Sequence, residues 1–249
     1  MRVTVIGCSG SFPGPDSPAS SYLVEADGFS LLVDIGNGAI GTLQRFHDVL
    51  DIDAICISHL HPDHCLDLTV YWIARTYCPY GRAPRIPVYG PPGTAEHMIK
   101  AYELAPNPEM DDTFDFRTLG PGRLEIGPFA VTTALMNHPV ETYGMRIEHG
   151  GSVLAYSGDS GHSDALVELA RGSDLFLCEA AFAQRPGLPP DMHLTGREAG
   201  EHAERAGAGR LVLTHLLPWN DPAQTLAEAK DSGFGGPIEL AEVGAVYDL

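Results

Sequence analysis

The sequence predicts an α/β (α+β) fold in which two mixed β-sheets pack face to face with helices on the outside. Two observations carry this. The first quarter is a series of short apolar or β-branched runs between turn residues, the pattern of strands, while the last third alternates helix with strand. Simple βαβ alternation fits only the C-terminal half, so one parallel sheet does not account for the chain. Gly and Pro are frequent but scattered among many short loops, and no internal repeat, low-complexity tract or linker breaks the 249 residues.

Strands are expected at Arg2–Ile6, Ser21–Glu25, Ser30–Asp34 and Ala54–Ser58, with a helix over Gly38–His47 and a second from near Asp63 to about Tyr77. In the middle, Ile86–Tyr89 reads as a strand, Thr94 as the cap of a helix running to about Leu104, and Pro106–Asp115 as an acidic loop. Strands follow at Arg123–Ile126, Phe129–Leu135, Tyr143–Glu148 and Ser152–Ser157. Ser163 caps a helix ending near Gly172, and Asp174–Glu179 is a strand. Thr195 and Glu198 form a T-x-x-E capping box opening a helix that stops near Gly207. Leu211–Thr214 is a buried strand, Asp221-Pro222 starts a helix with Pro at its first position, and strands near Pro237–Ala241 and Ala245–Tyr247 close the chain.

Charge narrows the partners. With 33 acidic residues against 15 basic ones the formal net charge is −18, and the basic residues form no cluster. Phosphate neutralisation supplies most non-specific nucleic-acid affinity, so a large nucleic-acid ligand such as tRNA is disfavoured. A small anion can still bind where metal ions supply positive charge. The five cysteines are odd in number, scattered and without a CxxC pair, which points to a reducing, cytoplasmic setting with buried thiols. Cys65, beside a histidine cluster, reads as a small buried residue. No apolar run reaches the ~20 residues of a membrane helix, and the opening residues lack the features of a secretory signal.

The strongest local signal is His59-Leu60-His61-Pro62-Asp63-His64. It follows the buried run Ala54–Ser58 and precedes a helix. Imidazole and carboxylate are the ligands that zinc and similar borderline metals take. Alternation at a strand end sends His59 and His61 to one side, while Asp63 and His64, after the turn, can reach a second metal.

This run resembles the signature of the metallo-β-lactamase superfamily, whose fold is a four-layer αββα sandwich with two metals at one edge. The resemblance covers nearly the whole chain and implies one hydrolase domain over residues 1–249. It asks for a further His, an Asp and a last His, each after a strand, and His138, Asp159 and His215 stand in those places. By resemblance His59, His61 and His138 hold one metal, Asp63, His64 and His215 the other, and Asp159 bridges both. The implied cofactors are two divalent ions, zinc first, with manganese or iron compatible. Asp34, in an Asp-x-Gly after a strand, resembles a family carboxylate that fixes the ligand loop by hydrogen bonds. The other histidines lack this context; His162, close to Asp159, comes nearest to it.

The branch is narrowed by Cys178-Glu179-Ala180-Ala181-Phe182 and His193-Leu194-Thr195, which resemble the ribonuclease Z and cyclic-nucleotide phosphodiesterase group. By that match His193 reaches the scissile phosphate and Glu179 supports it. The opening Gly7-Cys8-Ser9-Gly10-Ser11 resembles the glycine-rich first loop of the same branch, where glycines let the backbone approach the metals. Two departures count against tRNA processing: only 20 residues separate His138 from Asp159, where ribonuclease Z carries a long arm, and Leu216-Leu217-Pro218-Trp219-Asn220 replaces the family's segment after the last ligand. The expected activity is hydrolysis of a small anionic phosphodiester, a 3′,5′-cyclic nucleotide, with Asp63 orienting the nucleophile and His193 assisting the leaving alkoxide. The alternatives are a tRNA 3′ endonuclease, a hydrolase of thioesters or lactones, and a metal-dependent sensor on a retained fold. Family analogy adds a homodimer, and no membrane partner is expected.

Overall fold

The structure is a computed structural model that describes residues 1–81, 83–103 and 110–249. Its first half contains β1 (Arg2–Gly7), β2 (Ser21–Ala26), β3 (Phe29–Val33), α1 (Ala39–Leu43), β4 (Ala54–Cys56), α2 (Pro62–Cys65), α3 (Asp67–Thr76), β5 (Ile86–Gly90), α4 (Thr94–Ala101) and β6 (Phe114–Thr118). The second contains β7 (Gly122–Ile126), β8 (Phe129–Leu135), β9 (Tyr143–His149), β10 (Ser152–Tyr156), α5 (Asp164–Leu169), β11 (Leu175–Glu179), α6 (Gly196–Ala206), β12 (Leu211–Thr214), α7 (Pro222–Lys230), β13 (Ile238–Leu240) and β14 (Val246–Asp248).

These form two seven-stranded sheets, ordered β14-β1-β2-β3-β4-β5-β6 and β13-β12-β11-β10-β9-β8-β7. Each begins as an antiparallel meander and continues in parallel: β3 to β6 run together in the first sheet, β10 to β13 in the second. Strand alternation explains the layers. Val3, Val5, Leu31, Val33, Ala54 and Cys56 turn into a core shared with Leu175, Leu177 and Val212 of the opposite sheet. Their neighbours Ile6, Leu32, Ile55 and Ile57 turn out to meet α1, α3 and α4, while Phe176, Cys178, Leu211 and Leu213 meet α5, α6 and α7. Two sheets with both faces covered give the expected αββα sandwich. Among the described residues no helix is long and apolar enough to cross a membrane.

Several boundaries differ from the sequence expectation. The helix expected over Gly38–His47 stops at Leu43, and the following amides of Arg45 and Phe46 bond three residues back, to Thr42 and Leu43, as a tightening last turn does. His47 instead ties across to the Ser30 hydroxyl of β3 at 3.1 Å. The helix expected from Asp63 to Tyr77 is broken at Leu66, because the Asp67 amide leaves the ladder to bond Ile35 O, while the Ile35 amide bonds His64 O. Thr94 is not the cap of α4. Gly93, with φ 85, takes that position, and the Thr94 hydroxyl donates to Pro91 O. Leu104 and residues 106–109 of the expected loop lie outside the described residues. Asp115 does not continue that loop: Phe114–Thr118 is an edge strand, hidden in the sequence because Asp115 and Arg117 alternate with its two phenylalanines. The capping box of α6 is present as expected, with Gly207 in the left-handed region at its end.

Candidate metal centre

The parallel strands of both sheets end at the same edge of the sandwich, and the loops leaving them carry the cluster. Asp34 follows β3, His59–His64 follows β4, His138 follows β8, Asp159 follows β10, Glu179 ends β11 and His215 follows β12. Carboxyl ends of parallel strands are the usual place for a site in such sheets. Each sheet contributes to the same small volume, and all of the histidines and carboxylates among these residues except His61 and His138 are almost fully buried as whole residues.

Two groups form. His59, His61, His138 and Asp159 present ligand atoms all within 4.8 Å of one another, as do Asp63, His64, His215 and Asp159. Asp159 is common to both. In the first, His61 Nδ1 lies 3.0 Å from His59 Nε2 and 3.2 Å from His138 Nε2. In the second, His215 Nε2 lies 3.1 Å from Asp63 Oδ2 and His64 Nε2 lies 3.2 Å from Asp159 Oδ1. The far nitrogen of most rings is already engaged: His64 Nδ1 by Asp34 at 2.7 Å, His138 Nδ1 by Met192 O at 2.9 Å, His59 Nδ1 by the Ser58 hydroxyl at 3.1 Å. Such outer contacts fix the ring and leave the inner nitrogen as a lone-pair donor.

The residues fit a pair of divalent cations on their own geometry. His64 Nε2 and Asp159 Oδ1 are buried and have no hydrogen-bond partner. Unpaired buried polar atoms are costly and rare, and a cation between the rings and the shared carboxylate satisfies them. The charge states are mixed: burial lowers the His64 imidazole, but the Asp159 and Asp34 carboxylates more than reverse this and hold it well above its ordinary range, so a cation bound there displaces its proton. Burial, helped by the neighbouring His64, holds the His59 imidazole well below its ordinary range, in the neutral form that ligation requires. Burial favours a neutral Asp63, yet the His215 hydrogen bond and the charge of His64 outweigh it and hold the carboxyl below the usual range.

Asp34, the expected loop-fixing carboxylate, is fully buried and accepts four hydrogen bonds: from the Ser58 amide (2.6 Å), the Ser58 hydroxyl (2.8 Å), the Tyr156 hydroxyl (2.7 Å) and His64 Nδ1 (2.7 Å). It therefore joins β3, the metal-ligand loop and β10. Its φ of 57 and the φ of 54 at His215 place two non-glycine residues in the left-handed region, each a cost of about 1–3 kcal/mol that the surrounding contacts must hold. Ser58 and Tyr156 carry this network and were not singled out by the sequence; their only signal is adjacency to His59 and to the segment of Asp159. Two glycines make the loops fit. A Cβ at Gly36 would lie 2.0 Å from Asp63 O, and one at Gly10 would lie 2.4 Å from His215 O. The glycine-rich first loop thus approaches the last histidine, and the Ser11 amide stands 3.3 Å from its Nε2.

Glu179 and His193 come together as the sequence suggested. His193 Nδ1 is 2.8 Å from Glu179 Oε1, and the ring lies 5.3 Å from both the His138 and His215 rings. Glu179, fully buried, also accepts from the amides of Ser160, Ala181 and Leu194 at 2.9, 3.1 and 3.2 Å. Burial pushes the His193 imidazole down, but the charge and hydrogen bond of Glu179 more than reverse this and carry it up to about 9. His162 is not part of the cluster; its ring packs 4.8 Å from that of His202. His202 is a buried helix residue whose Nε2 accepts from the Ser163 amide at 3.1 Å. Cys65 is buried and directs its thiol to His61 O, away from the ligand atoms.

A sandwich with two histidine–aspartate groups sharing one carboxylate at its edge defines a metal-dependent hydrolase. The chain belongs to the family described as the Beta-lactamase superfamily domain, which matches residues 30–216. An uncharacterised protein of Mycobacterium leprae is 42% identical over all of this chain and 89% of its own length. YhfI of Bacillus subtilis, which bears the name probable metallo-hydrolase, is 33% identical over the full length of both chains. The crystal structure of YhfI superposes with a TM-score of 0.87, covering 99% of this chain and 98% of its own. A ribonuclease Z of Mycolicibacterium gilvum is 33% identical over 90% of this chain and 87% of its own.

Proposed function

We propose that this chain hydrolyses a small phosphodiester, a 3′,5′-cyclic nucleotide, to the nucleoside 5′-monophosphate, in the cytoplasm and with zinc as the first candidate metal. The observation that carries the reading is the Glu179–His193 pair at 2.8 Å beside the ligand cluster, with Glu179 fully buried and His193 partly so. His59, His61 and His138 would hold one cation, Asp63, His64 and His215 the second, and Asp159 both. When bound, two such ions polarise a phosphoryl oxygen and lower the pKa of water from 15.7 towards about 7. Asp63 orients the attacking water through its carboxylate. Glu179 engages His193 Nδ1 and keeps the ring protonated, so Nε2, on the opposite edge, carries a proton for the leaving 3′ oxygen. The P–O3′ bond breaks as the bond from water forms, and that oxygen takes the His193 proton.

Small substrates are favoured over tRNA by two further facts. Between His138 and Asp159 the chain is spent on β9 and β10, both inside the sheet, with no inserted arm. The net charge is −18. A tRNA 3′ endonuclease remains the second reading, because a relative named ribonuclease Z aligns over most of both chains. Protein of known metal content, presented with cAMP, cGMP, bis(p-nitrophenyl) phosphate and a precursor tRNA, decides between them. Turnover of a cyclic nucleotide that falls roughly a hundredfold or more in His193→Ala is the expected result. Cleavage of the precursor alone overturns the proposal.

A further inference from the structure

Next to the cluster lies a cavity of 180 Å³ between the segment after Glu179 and the loop after His215. Phe182, Leu188, Leu217 and Trp219 give it apolar walls, and Arg185 and Asn220 bring polar groups to it. Two paths of contact connect it to the centre. The Phe182 ring stands edge-on to His193 at 5.0 Å. Trp219 packs on Phe12 with ring centroids 4.8 Å apart, and the adjacent Ser11 amide lies 3.3 Å from His215 Nε2. Asn220 Nδ2 donates to Ala181 O at 2.7 Å. That bond ties the two walls together and holds the Asn220 carboxamide at the cavity.

Three features mark this as a binding place. Trp219 is 69% exposed although it is the largest apolar side chain of its loop, and an indole left open at the rim of a catalytic centre offers a flat face for stacking. Arg185 has no carboxylate partner among the described residues, in a chain where acids outnumber bases 33 to 15. The volume is below the roughly 300–1,000 Å³ of sites that enclose a whole drug-sized ligand, so it suits one planar ring system joined to a group held elsewhere.

We propose that this cavity is the subsite for the nucleobase of the substrate: the base stacks on Trp219 opposite Phe182, and Asn220 Oδ1 and Arg185 meet its polar edge. The assignment rests on the phosphodiesterase reading and adds to it the residues that separate a nucleotide from other phosphodiesters.

Tryptophan fluorescence tests it directly, since the chain has only two tryptophans and Trp72 is buried under the other sheet. Titration of the metal-loaded protein with adenosine or guanosine quenches Trp219 saturably, and ribose 5-phosphate, which has no base, does not. In kinetics, Trp219→Ala lowers kcat/KM for the preferred cyclic nucleotide, relative to base-free ribose 3′,5′-cyclic phosphate, by at least about fivefold and mainly through KM. Trp219→Phe retains most of the preference. An unchanged ratio in Trp219→Ala, or no saturable quenching by either nucleoside, overturns the subsite. Saturable nucleoside quenching in a protein that hydrolyses neither cyclic nucleotide supports the subsite and overturns only the substrate reading.

Discussion

At the scale of single residues the site is governed by how few groups serve many contacts. Asp34 touches no ligand atom on the metal side, yet it accepts from Ser58, Tyr156 and His64 together. Asp34→Asn keeps the shape but turns one acceptor into a donor against these groups. Metal affinity is expected to fall by about 10–100-fold, read by competition with a chromophoric chelator; unchanged affinity means Asp34 only supports the strand end. Glu179 works in the same way on the other side, where one carboxylate fixes the turns of Ser160, Ala181 and Leu194 as well as His193.

At the scale of elements, two joints position the ligands. The break between α2 and α3 lets Ile35 exchange hydrogen bonds with His64 and Asp67, which clamps the Asp63–His64 turn against Gly36. The start of α6 is the second. Thr195 accepts from the Glu198 amide and Glu198 bonds back to the Thr195 amide, two residues after His193. Thr195→Ala should cost about 0.5–2 kcal/mol in denaturant unfolding and also lower turnover, because the same turn carries His193. A stability loss with full turnover would show that Glu179 alone orients His193.

The whole molecule adds charge and metal linkage. An acidic protein repels an anionic substrate at long range, and salt screens this as the Debye length falls from about 30 Å at 0.01 M to about 8 Å at 0.15 M. KM for a cyclic nucleotide is therefore expected to stay level or fall over that range. A polyanion bound through phosphate contacts shows the opposite, weakening steeply with salt. Metal removal has a predictable sign as well. Ligands gathered from both sheets meet only in the folded state, so bound cations stabilise it by about 2.7 kcal/mol at a hundred times Kd. A chelator should lower the thermal midpoint, and readdition of the ion should restore it; an unchanged midpoint would mean that the cluster does not hold metal.

Sequence by itself determined the strand runs and the donor density of His59–His64, while His138, Asp159 and His215 were legible as donors only by resemblance. A short unbroken apolar run such as Ala54–Ser58 or Leu211–Thr214 is a local property, and so is the density of His59–His64; the capping box of α6 is complete within four residues. Tertiary structure decided what depends on distant partners. The helix break at Leu66 needs Ile35, the β6 edge strand needs β5 beside it, and the fourfold role of Asp34 needs Tyr156 from the opposite sheet. The pairing of Glu179 with His193 was legible only as resemblance, and its strength comes from burial and three added amides. The pocket beside Trp219 was not legible, because its walls come from two loops that meet only when β11 and β12 pair. Local hydrophobic rhythm is written along the chain, whereas burial and convergence exist only after chain segments far apart in sequence have closed on one another.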